Sequence, residues 1–151
     1  MKAYFSRYTL LVAALVFSLT ARAAETKIAT KDLPTAVQKA VAEQNKGAVV
    51  RGFTKEIENG KTEYEAELTM SGHGKDISFD SDGNVIAVEE EVKLESLPAP
   101  VRGALQKAAE GGVLREVESV SEGGKSFYEA SIRKGGKSSE VQVDRKGARI
   151  K

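Results

Sequence analysis

The sequence contains no cysteine and no tryptophan, and its 151 residues include one histidine and three prolines. Without cysteine the chain can form no disulfide and no thiolate metal site, so its stability must come from a packed core. His73 lies in a glycine-flanked turn and has no second histidine with which to form a metal site. No serine–histidine–acid arrangement can be argued either. We therefore expect no metal, no cofactor and no enzymatic activity.

Long hydrophobic runs are also scarce, and the main one lies near the N-terminus. Residues 9–19 are uncharged and mostly apolar, Lys2 and Arg7 precede them, and an Ala-Arg-Ala sequence follows at 21–23. This order is typical of a secretory signal peptide, and the run is shorter than the ~20 apolar residues that span a bilayer. We expect a signal peptide at 1–23, cleaved after Ala23, and a periplasmic or secreted protein without stable membrane insertion. The alternative is an uncleaved anchor.

An excess of positive charge is missing as well. The chain carries 23 basic and 22 acidic residues, but Lys2, Arg7 and Arg22 lie in the predicted signal peptide. The predicted mature chain, residues 24–151, therefore has a net charge of −2. Nucleic-acid binding requires a clearly basic surface, so the sequence predicts no nucleic-acid partner.

What the sequence does contain is an internal repeat. Residues 32–87 align with residues 96–151 at a constant offset of 64 without a gap, and 17 of the 56 aligned positions are identical. This period is longer than those of common solenoid repeats, which favours two small α+β units that pack as a pair. Residues 32–87 and 96–151 are called the first and second copies below.

Each copy is predicted to begin with a helix. Apolar residues recur at helical spacing in 32–47, after Asp32 as a candidate N-cap and Pro34 in the first turn, where a missing N–H costs little. The second copy repeats this pattern in 96–112, with Ser96 as the candidate N-cap.

Four strands are predicted to follow each helix. In 61–70, apolar residues such as Tyr64 and Leu68 alternate with glutamates, as in a half-buried antiparallel strand, and Asn59-Gly60 before it is a strong hairpin signal. For the strand at 49–58 the sequence does not show which side chains point inward, because the strand begins with two adjacent valines. We therefore expect a bulge or strong twist there.

The sequence thus predicts an α+β fold of two tandem repeats, each with one helix packed on a four-stranded antiparallel β-meander. The expected boundaries are 24–92 for the first repeat and 93–151 for the second, whose last strand is short. A single unit of this size would be marginally stable, so the two units could share a continuous sheet.

One turn resembles a calcium-binding loop. Asp80 begins an acidic turn, and Glu91 stands at the twelfth position, where an EF-hand has a glutamate. The residues between them read as a strand, however, and the second copy has Lys146 in place of Asp82. A hairpin turn with aspartate first and glycine last accounts for both copies.

The outward side of the repeated strand is where we expect a binding surface, because the two copies differ there. A glutamate of the first copy becomes Phe127, and an aromatic residue facing solvent is a candidate interface anchor. Packing against the neighbouring unit or a loop is an equal alternative. The acidic run 89–91 is either a solvated edge or one wall of an anionic surface on this side. The predicted partner-binding residues are Glu63, Glu65, Glu67, Phe127, Glu129 and Arg133.

The repeated pattern resembles the PepSY-like family, also described as β-lactamase-inhibitor-protein-like. The pattern is L-P-x-x-V at the helix start, then G-K-x-x-Y-E-A, then D-x-x-G after a strand. It is carried by Leu33, Pro34, Val37, Gly60, Lys61, Tyr64, Glu65, Ala66, Asp80 and Gly83, and again by Leu97, Pro98, Val101, Gly124, Lys125, Tyr128, Glu129, Ala130, Asp144 and Gly147. The resemblance implies small exported proteins in which a helix packs on an antiparallel sheet whose face binds a partner. This chain lacks the inhibitor's cysteines and has a shorter unit, so β-lactamase inhibition does not carry over.

The residues and the resemblance together lead to one hypothesis and one alternative. We expect an exported, non-catalytic module that binds a protein or peptide partner in the cell envelope through its polar sheet face, with inhibition or regulation of a peptidase or another envelope protein as one form of this. The alternative is an envelope sensor that binds a small ligand or a divalent cation through acidic residues of the first copy.

Overall fold

The computed structural model describes residues 25–45, 47–58 and 60–150. The predicted signal peptide with its cleavage site, and Asn59 of the predicted hairpin turn, lie outside these residues. Within them, no helix has the length and apolar character needed to cross a bilayer.

One antiparallel sheet of eight strands forms the body of the protein, and the strands lie in the sheet in chain order. The strands are β1 (Thr26–Ile28), β2 (Val49–Glu58), β3 (Lys61–Met70), β4 (His73–Asp80), β5 (Val85–Glu91), β6 (Val113–Glu122), β7 (Lys125–Lys134) and β8 (Lys137–Asp144). Two helices, α1 (Thr35–Gln44) and α2 (Ala99–Ala108), precede β2 and β6.

The α+β class is confirmed, but the prediction of four strands in each repeat is wrong. The first copy contributes β2 to β5, and the short β1 before it adds a fifth strand that pairs with β2. In the described part of the second copy there are three strands, β6 to β8, and an isolated bridge between Val143 and Arg149. The two meanders also form one sheet, because residues 87–91 of β5 pair with residues 118–122 of β6. This pairing satisfies backbone groups that an exposed edge of β5 would leave to water.

Both helices begin later than predicted. Asp32 is not the N-cap of α1, because it closes a preceding 3-10 turn and its side chain accepts a hydrogen bond from the Ala29 N–H (3.2 Å). Pro34 is the N-cap instead, and Leu33 before it is extended, with ψ 144°. A residue that precedes proline is disfavoured in the helical region, which prevents the helix from starting at Leu33. In the second copy Ser96 likewise ends a 3-10 turn and Pro98 is the N-cap of α2, but the Ser96 hydroxyl donates its hydrogen bond to the Lys93 carbonyl (2.7 Å).

Two hydrophobic cores lie on one face of the sheet, each beneath one helix. The first consists of Leu33, Val37, Val41, Phe53, Tyr64, Ala66, Leu68, Ile77 and Phe79. The second consists of Leu97, Val101, Leu105, Ala109, Val117, Ala130, Ile132, Val141 and Val143. Burying one such aliphatic or aromatic side chain stabilises the fold by roughly 1.5–3 kcal/mol. The predicted alternation of β3 is confirmed, since Tyr64, Ala66 and Leu68 all enter the first core.

A bulge interrupts the first long strand of each copy, as expected from its unclear phase. The register of β2 shifts between Val50 and Gly52, and that of β6 shifts between Leu114 and Glu116. After each bulge the side-chain alternation is reset, so that Phe53 of β2 points into the core.

We predict that Gly103→Ala stabilises the protein by about 1 kcal/mol, because glycine weakens the interior of a helix relative to alanine. Gly103 is exposed in α2, and a Cβ at this position meets nothing within 4 Å. The expected result is a higher midpoint of urea-induced unfolding with an unchanged slope. A lower midpoint would contradict the exposed position of this residue.

Candidate functional site

The sheet face opposite the two cores is called the polar face here. Both helices pack on the other side of the sheet, so neither of them covers the polar face. All six predicted partner-binding residues belong to it by strand alternation. They occupy two groups, with Glu63, Glu65 and Glu67 on β3 and with Phe127, Glu129 and Arg133 on β7.

The two predicted groups share a face but do not meet. Strands β4, β5 and β6 lie between β3 and β7, which separates the groups by about 19 Å at ~4.8 Å per strand. Arg133 is six residues from Phe127 along β7, or about 20 Å, and its exposed side chain lies near the end of the strand opposite Val113. The predicted residues therefore border a surface whose centre is formed by other side chains.

Carboxylates fill that centre. Asp76 on β4 lies directly opposite Glu67 on one side and Glu89 on the other, and Glu118 on β6 lies directly opposite Glu129. Like charges placed directly opposite each other on neighbouring strands destabilise a sheet. The acidic patch, as we call it, comprises Glu65, Glu67, Asp76, Glu89, Glu118 and Glu129.

Little positive charge compensates the acidic patch in the described part of the chain. Arg51, at the bulge of β2, pairs with Asp76 at 3.2 Å and donates a second hydrogen bond from Nε to the Leu68 carbonyl (3.2 Å). Glu129 accepts a hydrogen bond from the neutral amide of Gln142 at 2.7 Å. Solvent, or a partner that binds this face, can reduce the remaining repulsion between the carboxylates.

Partial burial and repulsion from neighbouring carboxylates raise the pKa of four residues of the acidic patch. Burial, with Asp76 as the largest charged contributor, raises the pKa of Glu65 to about 7. Burial and the Glu89 carboxylate raise the pKa of Glu118 to about 7. The pKa of Glu89 is raised by burial and then by Glu129, and that of Asp76 is raised by burial although Arg51 opposes the shift. An added cation would favour ionisation of these groups.

Sequence reasoning named Glu65, Glu67 and Glu129 as contacts and gave the acidic run 89–91, which contains Glu89, as either a solvated edge or one wall of an anionic surface. It missed Asp76 and Glu118 for identifiable reasons. Glu118 follows the bulge at Arg115, so its face could not be read from alternation. Asp76 could have been assigned to this face, because the apolar residues Ile77 and Phe79 alternate with it and with Ser78 in the sequence. Its pairing with Glu89 depends on the register of β4 against β5, which shifts between Ser78 and Phe79.

Comparison with sequence families supports the repeat. The profile of a family described as beta-lactamase-inhibitor-like, PepSY-like matches the chain twice, over residues 20–87 and 70–151. The two matches together cover most of the chain. This protein belongs to the PepSY-like family. The resemblance inferred from the repeated motif is thereby confirmed, as is the presence of two repeats.

Solved structures show the same PepSY-like fold. A periplasmic protein from Bacteroides eggerthii has a TM-score of 0.66 and 19% identity, over 79% of this chain and 86% of that chain. A DUF2874 family protein from Bacteroides ovatus has a TM-score of 0.63 and 18% identity, over 79% and 85%. A BLIP-like protein from Bacteroides fragilis has a TM-score of 0.60 and 19% identity, over 79% and 84%. At these identities the likeness concerns the fold alone. No curated protein sequence matches the chain significantly.

In this PepSY-like chain the turn after β4 and its equivalent after β8 are held in the same way by their first aspartate. The Asp80 side chain accepts hydrogen bonds from the backbone N–H groups of Asp82 and Asn84, each at 2.9 Å. Asp144 accepts equivalent bonds from Lys146 at 2.8 Å and Ala148 at 2.9 Å. The hydrogen bonds at Asp80, above all those from Asn84, lower its pKa. The carboxylate is therefore used to hold the turn.

Each PepSY-like repeat also carries a depression at the same end of its strands. The two depressions share five lining positions at the 64-residue offset, which are Lys61, Thr62, Glu63, Asp80 and Ile86 in the first and Lys125, Ser126, Phe127, Asp144 and Ile150 in the second. Ser81 and Asp82 also line the first depression, and Glu122, Gly123 and Gln142 also line the second. Their volumes are about 460 Å³ and about 610 Å³. Among these five equivalent positions, the largest chemical difference is the replacement of Glu63 by Phe127.

The prediction that Phe127 is exposed to solvent is wrong. Phe127 lies on the polar face as predicted, but only 9% of it is exposed. It stands between Val120 on β6 and Asp144 on β8, and Val120 is itself buried at 3% exposure. Neither residue belongs to the two helix-covered cores, so they form a small apolar area on an otherwise polar surface.

Proposed function

We propose that this protein is an exported, non-catalytic module that binds a basic protein or peptide of the cell envelope through its polar face. The observation that carries the proposal is the acidic patch, in which carboxylates lie directly opposite one another on neighbouring strands. In this proposal the signal peptide at 1–23 is removed, and the repeats at 24–92 and 93–151 act as one binding unit. Glu63, Glu65, Glu67, Phe127, Glu129 and Arg133 remain proposed partner contacts, joined by Asp76, Glu89 and Glu118.

Charge complementarity determines the kind of partner. A lysine- or arginine-rich segment bound on the acidic patch would neutralise carboxylates that now repel one another, and that relief adds to the free energy of binding. Complementary charges also accelerate encounter and reject acidic competitors. Such binding weakens as ionic strength rises, because salt screens exposed charges beyond ~10 Å at 0.1 M.

Inhibition or regulation of a peptidase or another envelope protein is one consequence that such binding would have. The family description and one structural relative refer to inhibitor-like proteins. A partner held across this open face would have its own surface covered, which is how a module without catalytic groups alters another protein's activity.

The alternative of a divalent-cation sensor receives less support. Among the described residues, no group of three or more histidine, cysteine, aspartate or glutamate side chains is arranged to hold a metal ion. The patch carboxylates are spread over five strands, β3 to β7, instead of converging on one point.

The test compares envelope proteins captured by the mature chain, residues 24–151, and by two double variants. Glu89→Gln/Glu118→Gln removes two charges at the centre of the acidic patch. Glu95→Gln/Glu110→Gln removes two exposed charges elsewhere and serves as the matched control. We expect a basic partner whose recovery at low salt falls about tenfold with the patch variant only, which corresponds to ~1.4 kcal/mol.

Equal recovery with both variants would contradict binding through the acidic patch. If nothing is captured and millimolar calcium raises the unfolding temperature of the mature chain, the cation-sensor alternative is favoured instead.

A further inference from the structure

We infer that the depression above Phe127 is a subsite for one apolar side chain of the basic partner, and that the partner carries arginine or lysine two residues away in an extended segment. This inference rests on the proposed function, because it specifies what the polar face recognises.

The first support is the composition of the depression. Phe127 forms an apolar floor, Ile150 stands beside it with 57% exposure, and the aliphatic part of Lys125 completes a partly apolar lining. Its volume of about 610 Å³ is within the range of ligand-binding clefts, roughly 300–1,000 Å³. An exposed isoleucine next to a buried aromatic ring leaves apolar surface that a partner side chain can cover.

The second support is the internal comparison that the repeat provides. The first copy has the same lysine, aspartate and isoleucine around its depression, as Lys61, Asp80 and Ile86. Apart from Glu63 and Phe127, the equivalent lining residues thus share their chemistry, and of the two depressions only the second is lined by an aromatic ring. The replacement of Glu63 by Phe127 therefore makes the second depression the more apolar of the two.

The third support is the position of the depression relative to the acidic patch. Glu129 follows Phe127 by two residues on the same face of β7, and Glu118 lies directly opposite Glu129 on β6. Two residues of a strand span about 6.6 Å. Alternate side chains of an extended segment have the same spacing, so a segment parallel to β7 can place an apolar side chain over Phe127 and a cation between Glu118 and Glu129.

The test uses three fluorescein-labelled peptides and measures their affinities by fluorescence anisotropy at 50 mM salt. The probe is Ser-Phe-Ser-Arg-Ser-Arg-Ser. The second peptide replaces its phenylalanine by alanine, and the third, Ser-Phe-Arg-Ser-Ser-Arg-Ser, has the same composition with the first arginine adjacent to the phenylalanine. We expect the mature chain to bind the probe about tenfold more tightly than either of the others.

Two substitutions at Phe127 test whether the preference for the probe depends on this residue. Phe127→Glu gives the second depression the floor of the first and is expected to abolish the preference for the probe over the alanine peptide. Phe127→Leu keeps an apolar floor and is expected to retain most of it. If Phe127→Glu does not fold, the comparison of the three peptides on the unmodified chain decides the matter.

Equal affinity for the probe and the alanine peptide would overturn the subsite, as would a preference that survives Phe127→Glu. If all three peptides bind equally and lose affinity with Glu89→Gln/Glu118→Gln, the subsite is wrong while the proposed function stands. If no peptide binds at 1 mM, the inferred subsite is also wrong. The capture experiment described above then tests the proposed function independently.

Discussion

Replacing Gly147 by alanine is expected to lower the free energy of unfolding by about 3 kcal/mol. Gly147 ends the turn after β8 with φ +84°, a conformation that costs an L-residue roughly 1–2 kcal/mol. A Cβ here would lie 2.5 Å from the Pro100 carbonyl oxygen and 2.8 Å from its carbonyl carbon. Both contacts are with backbone at the start of α2, so the turn or the helix must move, which costs a further 1–3 kcal/mol, approximately.

Gly136→Ala is the matched control for this change. Gly136 has a similar φ of +81°, but a Cβ there meets nothing within 4 Å. Substitution of Gly136 should therefore lower the free energy of unfolding only by the cost of the positive φ, about 1 kcal/mol. With roughly 3 °C of melting temperature per kcal/mol, Gly147→Ala should melt about 9 °C below the unmodified protein and Gly136→Ala about 3 °C below it. Equal losses for the two variants would show that the turn does not pack against α2 as described.

The unmodified protein is expected to be more stable at pH 5 than at pH 8, by about 2 kcal/mol. The pKa values of Glu65 and Glu118 rise from 4.5 to about 7 in the folded state. Between these values the folded protein binds more protons than the unfolded chain, so its stability falls as the pH rises through the window from about 4.5 to about 7. One shift of this size would correspond to ~3 kcal/mol for an isolated group, but both side chains are half-solvated and share the same repulsions, which reduces the expected total.

Melting temperatures at pH 5, 6, 7 and 8 and constant ionic strength measure this effect. We expect a fall of about 6 °C from pH 5 to pH 8. Glu118→Gln should raise the melting temperature at pH 8 and flatten the profile, because a neutral amide experiences no repulsion from Glu89. Glu110→Gln, an exposed change after α2, should follow the unmodified profile. A melting temperature that stays constant or increases towards pH 8 in the unmodified protein would refute the described packing of the acidic patch.

The sequence predicted local structure well wherever side-chain alternation and repetition acted together. The inward residues of β3 and the repeated turns at Asp80 and Asp144 follow from spacing and from residue chemistry alone. The helix starts were misplaced because the effect of Pro34 on Leu33 outweighs the capping preference of Asp32. Local preferences of this kind can in principle be read from sequence.

The candidate site was only half predicted, because it depends on pairings between distant segments. Alternation assigned Glu65 and Glu129 to one face, but it could not show that β5 and β6 join the two copies. That junction places Glu89 and Glu118 between the predicted groups. Nor does alternation reveal that Val120 lies beside Phe127 and helps to bury it, since the bulge in β6 shifts the phase of the strand.

The order of strands in the sheet also has a consequence for how the chain folds. Every strand pairs only with strands that adjoin it along the chain, so most pairings close a short hairpin loop. Short loops carry a small closure entropy, and topologies rich in local contacts fold quickly. The exceptions are the pairing of β1 with β2, which closes over the segment 29–48 that contains α1, and the pairing of β5 with β6, which closes over the segment 92–112 that contains α2. These two pairings therefore have the largest loop-closure entropy, and before β5 pairs with β6 each copy exposes an unpaired strand edge to other chains.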